Sequence, residues 1–207
     1  MLLRLFHMEQ PKAEQKMIQI GVFMNITDIV KEEYGKNDQI MYGDLDKAVR
    51  NVVQCLMENR STVATGESLT GGLLSERITS VPGASQVFEL GVCTYSDRMK
   101  QDLLHVPSGV LAQHGAVSRQ TAYAMAEGLM HRSGAALCLT VTGLAGPGGG
   151  SADTPVGTVY AGFAYRGQVT AARLRLFEFS GLDRSEIRNK TALCVFQIAE
   201  QLLQANG

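Results

Sequence analysis

From Gly43 onward the apolar residues switch repeatedly between helical spacing and short unbroken runs, and this alternation confines the chain to an α/β architecture. Leu45, Val49, Val52, Val53 and Leu56 recur at helical spacing behind Asp44, a good N-cap. Ser61 to Thr65 reads as a short buried strand. Leu69, Leu73, Leu74 and Ile78 mark a helix that must stop before Pro82. Phe88 to Tyr95 is strand-like, and Asp97 to Leu104 is a short helix halted by Pro107. Ser118 caps a helix that runs to about Arg132 and ends at Gly134. Ala136 to Thr142 is a buried strand, followed by a glycine-rich loop over Gly143 to Pro155. Val156 to Tyr165 and Val169 to Phe179 read as strands joined at Arg166-Gly167, a hairpin signal. Asp183 starts a last helix carrying Ile187, Leu193, Phe196, Ile198 and Leu202. Alternation early and a hairpin late predict a mixed sheet with helices on both faces.

Residues 1–42 lack this regularity. They are Met-rich and mixed in charge, with Met17 to Phe23 as a short strand and Ile26 to Tyr34 as a weak helix capped by Asn25. The alternatives are partial disorder, or a stretch upstream of the translation start, for which Met24 and Met41 both qualify. The expected division is an N-terminal extension of uncertain order over 1–42 and a domain over 43–207.

Composition narrows the function classes. Hydrophobic residues at 45% against 19% charged exclude wholesale disorder. A net charge of −1 removes the electrostatic footprint of a general nucleic-acid binder. Aromatics at 6%, with no Trp, leave no base-stacking platform. No apolar run reaches the ~18–20 residues a membrane span needs. The apolar start is broken at Arg4 and gives no secretory h-region, so a cytoplasmic protein is expected. Cys55, Cys93, Cys138 and Cys194 sit apart in apolar segments and read as buried small hydrophobes rather than a zinc or disulfide set. His7, His105, His114 and His131 show no metal-ligand spacing, so no metal is expected.

Three segments can carry chemistry. Gly66-Glu67-Ser68-Leu69-Thr70-Gly71-Gly72 falls where a strand turns into a helix. A serine there either caps the helix or uses its free N–H groups and dipole to stabilise an oxyanion. Thr70 stands where an α/β-hydrolase elbow needs its second glycine, so that elbow is excluded. In Tyr95-Ser96-Asp97-Arg98-Met99-Lys100, Lys100 is either a solvated lysine or a general base lowered in pKa by burial, with Tyr95 orienting it or relaying a proton. Gly143-Leu144-Ala145-Gly146-Pro147-Gly148-Gly149-Gly150-Ser151 is either a flexible linker or a ligand loop at the carboxyl end of a strand. It is no Walker A loop, because Gly149 stands where the lysine belongs. Arg184 and Arg188, one turn apart, are either solvated or grip a phosphate. The residues alone point to an amide or ester hydrolase acting on a small anion.

The ordered set of Glu67-Ser68-x-Thr70-Gly71-Gly72, Thr94-Tyr95-Ser96, Lys100, Gly115-Ala116-Val117-Ser118, Gly143-x-Ala145-Gly146-Pro147-x-Gly149-Gly150 and Pro155-Val156-Gly157-Thr158-Val159 resembles the CinA C-terminal domain family. Members of that family include nicotinamide-nucleotide amidases. The resemblance implies a three-layer α/β/α fold, here with a mixed, mostly parallel five-stranded sheet. It implies hydrolysis of the carboxamide of nicotinamide mononucleotide to nicotinate mononucleotide and ammonia, without a metal or other cofactor, by a homo-oligomer. The family's nucleophile falls on Ser68, and its assisting Tyr and Lys fall on Tyr95 and Lys100. Thr70, Gly71 and Gly72 would lend backbone donors. Gly143, Ala145, Gly146, Gly149, Gly150, Val156 and Gly157 would line the pocket, and the arginine of the family's Gly-Asp-Arg turn falls near Arg184. The chain departs from the family pattern at Gly66 and Leu69, usually Ala and Cys, at Asp97, often Asn, and at Thr154, often Lys. A silent paralogue that binds a pyridine nucleotide is the alternative reading.

Overall fold

The computed structural model describes residues 24–206. Asn25 caps a one-turn helix, α1 (Ile26–Ile29), by accepting the Thr27 N–H. A two-residue strand, β1 (Glu33–Tyr34), follows. Asp44 accepts the Lys47 N–H to start α2 (Leu45–Glu58), whose apolar stripe from Ala48 to Leu56 is buried. The regular alternation then gives β2 (Val63–Glu67), α3 (Leu73–Thr79), β3 (Phe88–Cys93), α4 (Asp97–Leu104), α5 (Ser108–His114), α6 (Arg119–Ser133) and β4 (Leu137–Gly143). The hairpin forms as β5 (Thr158–Tyr165) and β6 (Gln168–Arg175). A full capping box between Asp183 and Glu186 opens α7 (Arg184–Ala205).

The strands form one mixed sheet in the order β1-β6-β5-β4-β2-β3. β2 runs parallel to β3 and β4, and β1 parallel to β6, while β5 is antiparallel to both of its neighbours. Successive side chains of one strand point to opposite faces, so the sheet carries two cores. Val63, Leu139 and Phe163 join residues of α2 and α7 on one face. Ala64, Cys138 and Ala164 join Leu104, Met125 and Leu129, from α4 and α6, on the other. The result is three layers, α/β/α. Two glycines let α6 approach closely: a Cβ on Gly128 would lie 1.7 Å from the Leu104 carbonyl oxygen, and one on Gly162 2.1 Å from that of Ala122.

The sheet has six strands rather than five. The extra strand, β1, comes from the poorly patterned N-terminal zone and is too short to show a period. The helix expected over Ile26–Tyr34 is one turn long: Val30 leaves it in extended backbone, and the last two residues of the expected span form β1. Ile26, Val30, Tyr34, Ile40 and Met41 are nonetheless buried in the core with α2 and α7. The strand expected over Met17–Phe23 lies outside the described residues. Helix α5 gives no sequence signal: it buries no residue and so has no apolar stripe, and Pro107, which reads as the stop of α4, stands at its N-cap without a side-chain bond. β6 ends at Arg175, and Leu176–Glu178 form a 3-10 turn. Among the cysteines, Cys138 and Cys194 are buried, and burial pushes their thiols up to about 11 and about 12. Cys93 is exposed, because β3 is an edge strand with alternate residues facing outward.

Because β2, β3 and β4 are parallel neighbours, their carboxyl ends meet at one edge. Glu67 is in register with Cys93 on one side and Val141 on the other. The residues that follow these three strands are Ser68, the Thr94–Tyr95 pair and the glycine loop.

Candidate active site

Ser68 directly follows β2, and its N–H donates to the Val141 carbonyl, extending the ladder by one bond. Helix α3 starts later than the apolar spacing predicts, at Leu73, after Gly71 (φ +59°) and Gly72 (φ +98°) have turned the chain through left-handed conformations. Ser68 therefore caps no helix. The N-terminus of α3 is occupied by Glu67 instead. Its fully buried carboxylate accepts the N–H groups of Gly72 (2.9 Å), Leu74 (3.1 Å) and Ser75 (2.9 Å), and the Ser75 hydroxyl (3.0 Å). An acidic side chain is well placed at a helix N-terminus.

The turn has a defined set of free donors. Gly71 N–H is spent on the Ser68 carbonyl and Gly72 N–H on Glu67. Among the described residues, the N–H groups of Leu69 and Thr70 have no protein acceptor. Thr70 and Leu69 are both buried.

Ser96 caps α4 by accepting the Met99 N–H, which sets Lys100 one turn into the helix and facing inward. Its side chain is 1% exposed. The Lys100 Nζ lies 3.3 Å from Ser68 Oγ and donates to the Thr94 carbonyl at 3.0 Å. The Asp97 carboxylate is 3.9 Å away. Burial lowers the Lys100 pKa below its usual 10.5, and Asp97 opposes that shift. A buried lysine with one distant carboxylate and a serine hydroxyl in reach has the geometry of a base.

Ser68, Lys100 and Tyr95 line one cleft of about 230 Å³, with Leu69, Asp97, Ala116, Val117, Thr142, Gly143, Leu144, Ala145, Gly146, Gly148 and Arg184. Tyr95 is 62% exposed, and its hydroxyl accepts from Arg184 at 3.1 Å rather than bonding Ser68 or Lys100. Arg184 also donates to the Gly146 carbonyl at 2.7 Å, tying α7 to the glycine loop. Ala145 and Arg184 are shared with a neighbouring cleft of about 500 Å³, which Val156, Leu182 and Arg188 also line. The expected residues Thr70, Gly71, Gly72, Gly149, Gly150 and Gly157 line neither cleft. Gly150 and Gly157 serve packing: a Cβ there would lie 2.9 Å from Val156 N and 2.6 Å from Phe177 N.

Of the cleft residues, Ala116, Val117 and Thr142 have no site role in the sequence reading, Leu144 and Gly148 enter it only as members of the glycine loop, and Asp97 only as a departure from a pattern. Asp97 was within reach of that reading, since i and i+3 share a helix face. Among the described residues no group of His, Cys, Asp and Glu could hold a metal ion.

Fold and site together define an α/β/α domain with a buried serine–lysine pair at the carboxyl edge of its parallel strands. The profile of the CinA C-terminal domain family matches residues 45–203, and the chain belongs to that family. A CinA-like protein of Akkermansia muciniphila is 49% identical over 144 residues, which are 70% of this chain and 33% of that protein. A putative competence-damage inducible protein of Caldicellulosiruptor bescii is 40% identical over 188 residues, 90% of this chain and 44% of that protein. The chain thus spans less than half the length of these curated relatives. Among solved structures, the competence/damage inducible protein CihA of Agrobacterium tumefaciens superposes with a TM-score of 0.73 at 38% identity, over 80% of this chain and 98% of that one. A CinA superfamily protein of Escherichia coli gives 0.73 at 27% identity, over 86% and 99%. No described helix is long and apolar enough to cross a membrane.

Proposed function

We propose that this chain is an amidohydrolase that converts the carboxamide of nicotinamide mononucleotide to nicotinate mononucleotide and ammonia. The observation that carries the hydrolase reading is the Lys100 Nζ, buried and 3.3 Å from Ser68 Oγ. The substrate rests on the likeness to the CinA C-terminal domain family. In the proposed reaction the neutral Lys100 amine takes the Ser68 proton as Oγ attacks the carboxamide carbon. The N–H groups of Leu69 and Thr70 receive the oxyanion. Lys100 returns the proton to the leaving nitrogen and ammonia departs; water, deprotonated by Lys100, then attacks the acyl-serine, the acyl–Oγ bond breaks to release the carboxylate, and Lys100 gives the proton back to Ser68 Oγ. Tyr95, held by Arg184, positions the substrate at the mouth of the cleft. No cofactor enters this scheme, and we place the working form as a homo-oligomer.

Purified protein incubated with nicotinamide mononucleotide should release ammonia and nicotinate mononucleotide in equal amounts, and Ser68→Ala should release neither. Absence of turnover by folded wild-type protein would sink the assignment. A second reading, a pocket that binds a pyridine nucleotide without turnover, draws on Asp97, whose carboxylate favours the protonated lysine. It predicts thermal stabilisation by the nucleotide with no product formed.

A further inference from the structure

Arg188 projects from the second turn of α7 and makes an unusual use of its charge. Its Nε (3.2 Å) and Nη2 (2.6 Å) both donate to one acceptor, the Thr70 carbonyl. The Leu73 N–H donates to the same oxygen at 3.3 Å. Among the described residues no carboxylate lies within ion-pair distance of Arg188. A guanidinium is normally placed to take a carboxylate or phosphate. Here its fork is closed on a backbone carbonyl two residues past the serine.

The bonding beyond that carbonyl is continuous. The Thr70 carbonyl and the Gly71 N–H belong to one peptide group. The Gly71 N–H donates to the Ser68 carbonyl at 3.1 Å. The Ser68 carbonyl in turn shares its peptide group with the Leu69 N–H, which has no protein acceptor among the described residues. Each link pulls electron density toward the guanidinium and leaves the next N–H a stronger donor, because hydrogen bonds in chains polarise one another.

We propose that Arg188 is a positioning residue that strengthens the Leu69 N–H as an oxyanion donor through two hydrogen-bonded peptide groups. This rests on the reading of Ser68 as the nucleophile. Arg188 touches no reacting atom; it fixes the turn and biases its charge from behind. Losing an oxyanion donor outright costs ~100–1000-fold in kcat, so weakening one should cost less, roughly tenfold.

The test compares wild type with Arg188→Met and Arg188→Lys, each first shown to be folded by its thermal melt. Three readouts are taken: kcat and KM on nicotinamide mononucleotide, the rate at which a fluorophosphonate probe labels Ser68, and the Leu69 amide proton shift by NMR. Arg188→Met should lower kcat and the labelling rate roughly tenfold while KM changes little, and should move the Leu69 amide upfield. Arg188→Lys, which keeps the charge without the fork, should recover part of each. A folded Arg188→Met with an unchanged Leu69 shift and labelling rate would overturn the relay and leave Arg188 as a fastener of α7. Should Arg188→Met fail to fold, the same readouts on Arg188→Lys decide, with an unchanged Leu69 shift counting against. Wild-type protein inert to both nucleotide and probe would remove the hydrolase reading, and the Leu69 shift alone would then decide whether the relay exists.

Discussion

At the scale of single residues, Lys100 carries the most consequence. Its amine is useful as a base only when neutral, and burial has moved its titration below 10.5. On the proposed reaction, kcat/KM should rise with pH through that lowered value. Asp97 holds the value up, so Asp97→Asn should move the rising limb to lower pH, a shift readable in a pH–rate profile. A limb that stays in place or moves up would remove Lys100 as the base. The same depression bears on stability. Between the lowered folded value and 10.5 the unfolded chain binds more protons than the folded one, so the Lys100 contribution makes stability rise with pH across that window. Lys100→Met abolishes this dependence. It should cut turnover by about 10²–10⁴ while urea unfolding at neutral pH shows stability equal to or above wild type. A clear loss of stability would show the amine to be a structural hydrogen-bond donor first.

At the scale of elements, the join between β2 and α3 decides the site. Two left-handed glycines and the Glu67 carboxylate hold the turn, and the carboxylate uses the helix N-terminus that the sequence offered to a ligand. Glu67→Ala would leave three backbone donors without their acceptor, two of them partly shielded and one fully buried. A buried donor left unsatisfied costs ~1–3 kcal/mol. The variant is expected to lose about 3 kcal/mol in chemical denaturation and most of its turnover. A loss under about 0.5 kcal/mol, the range of an ordinary surface substitution, would show that water replaces the carboxylate and that the turn holds itself. The glycine loop follows the same logic. It is tied at Leu144 to Thr158 and at Gly157 to Leu144, so it is no loose linker. Only part of it faces the cleft, since Gly150 and Gly157 are glycines for closeness to other backbone.

At the scale of the whole molecule, the N-terminal zone from residue 24 is part of the packing. Ile26, Val30, Tyr34, Ile40 and Met41 are all at most 5% exposed. Burying one such side chain contributes ~1.5–3 kcal/mol. A chain starting at Gly43 should therefore melt well below the full chain, or aggregate through the uncovered α2–α7 face, as a thermal scan with light scattering would show. An unchanged melting temperature would mean that the segment adds nothing to the fold. Local pattern is enough to read the alternation of helices and strands after Gly43, the hairpin at Arg166-Gly167, the caps at Asp44 and Ser118 and the helix start at Asp183, because burial period and capping are local properties. The sequence also singled out Ser68 and Lys100, by residue type and by resemblance. The folded arrangement alone brings the two to 3.3 Å, sets Glu67 at the helix end and takes Arg188 to the Thr70 carbonyl. Those contacts join residues on separate elements, and their distance is set by the parallel pairing of β2 with β3 and β4 and by how α4 and α7 dock on the sheet, which no local pattern encodes.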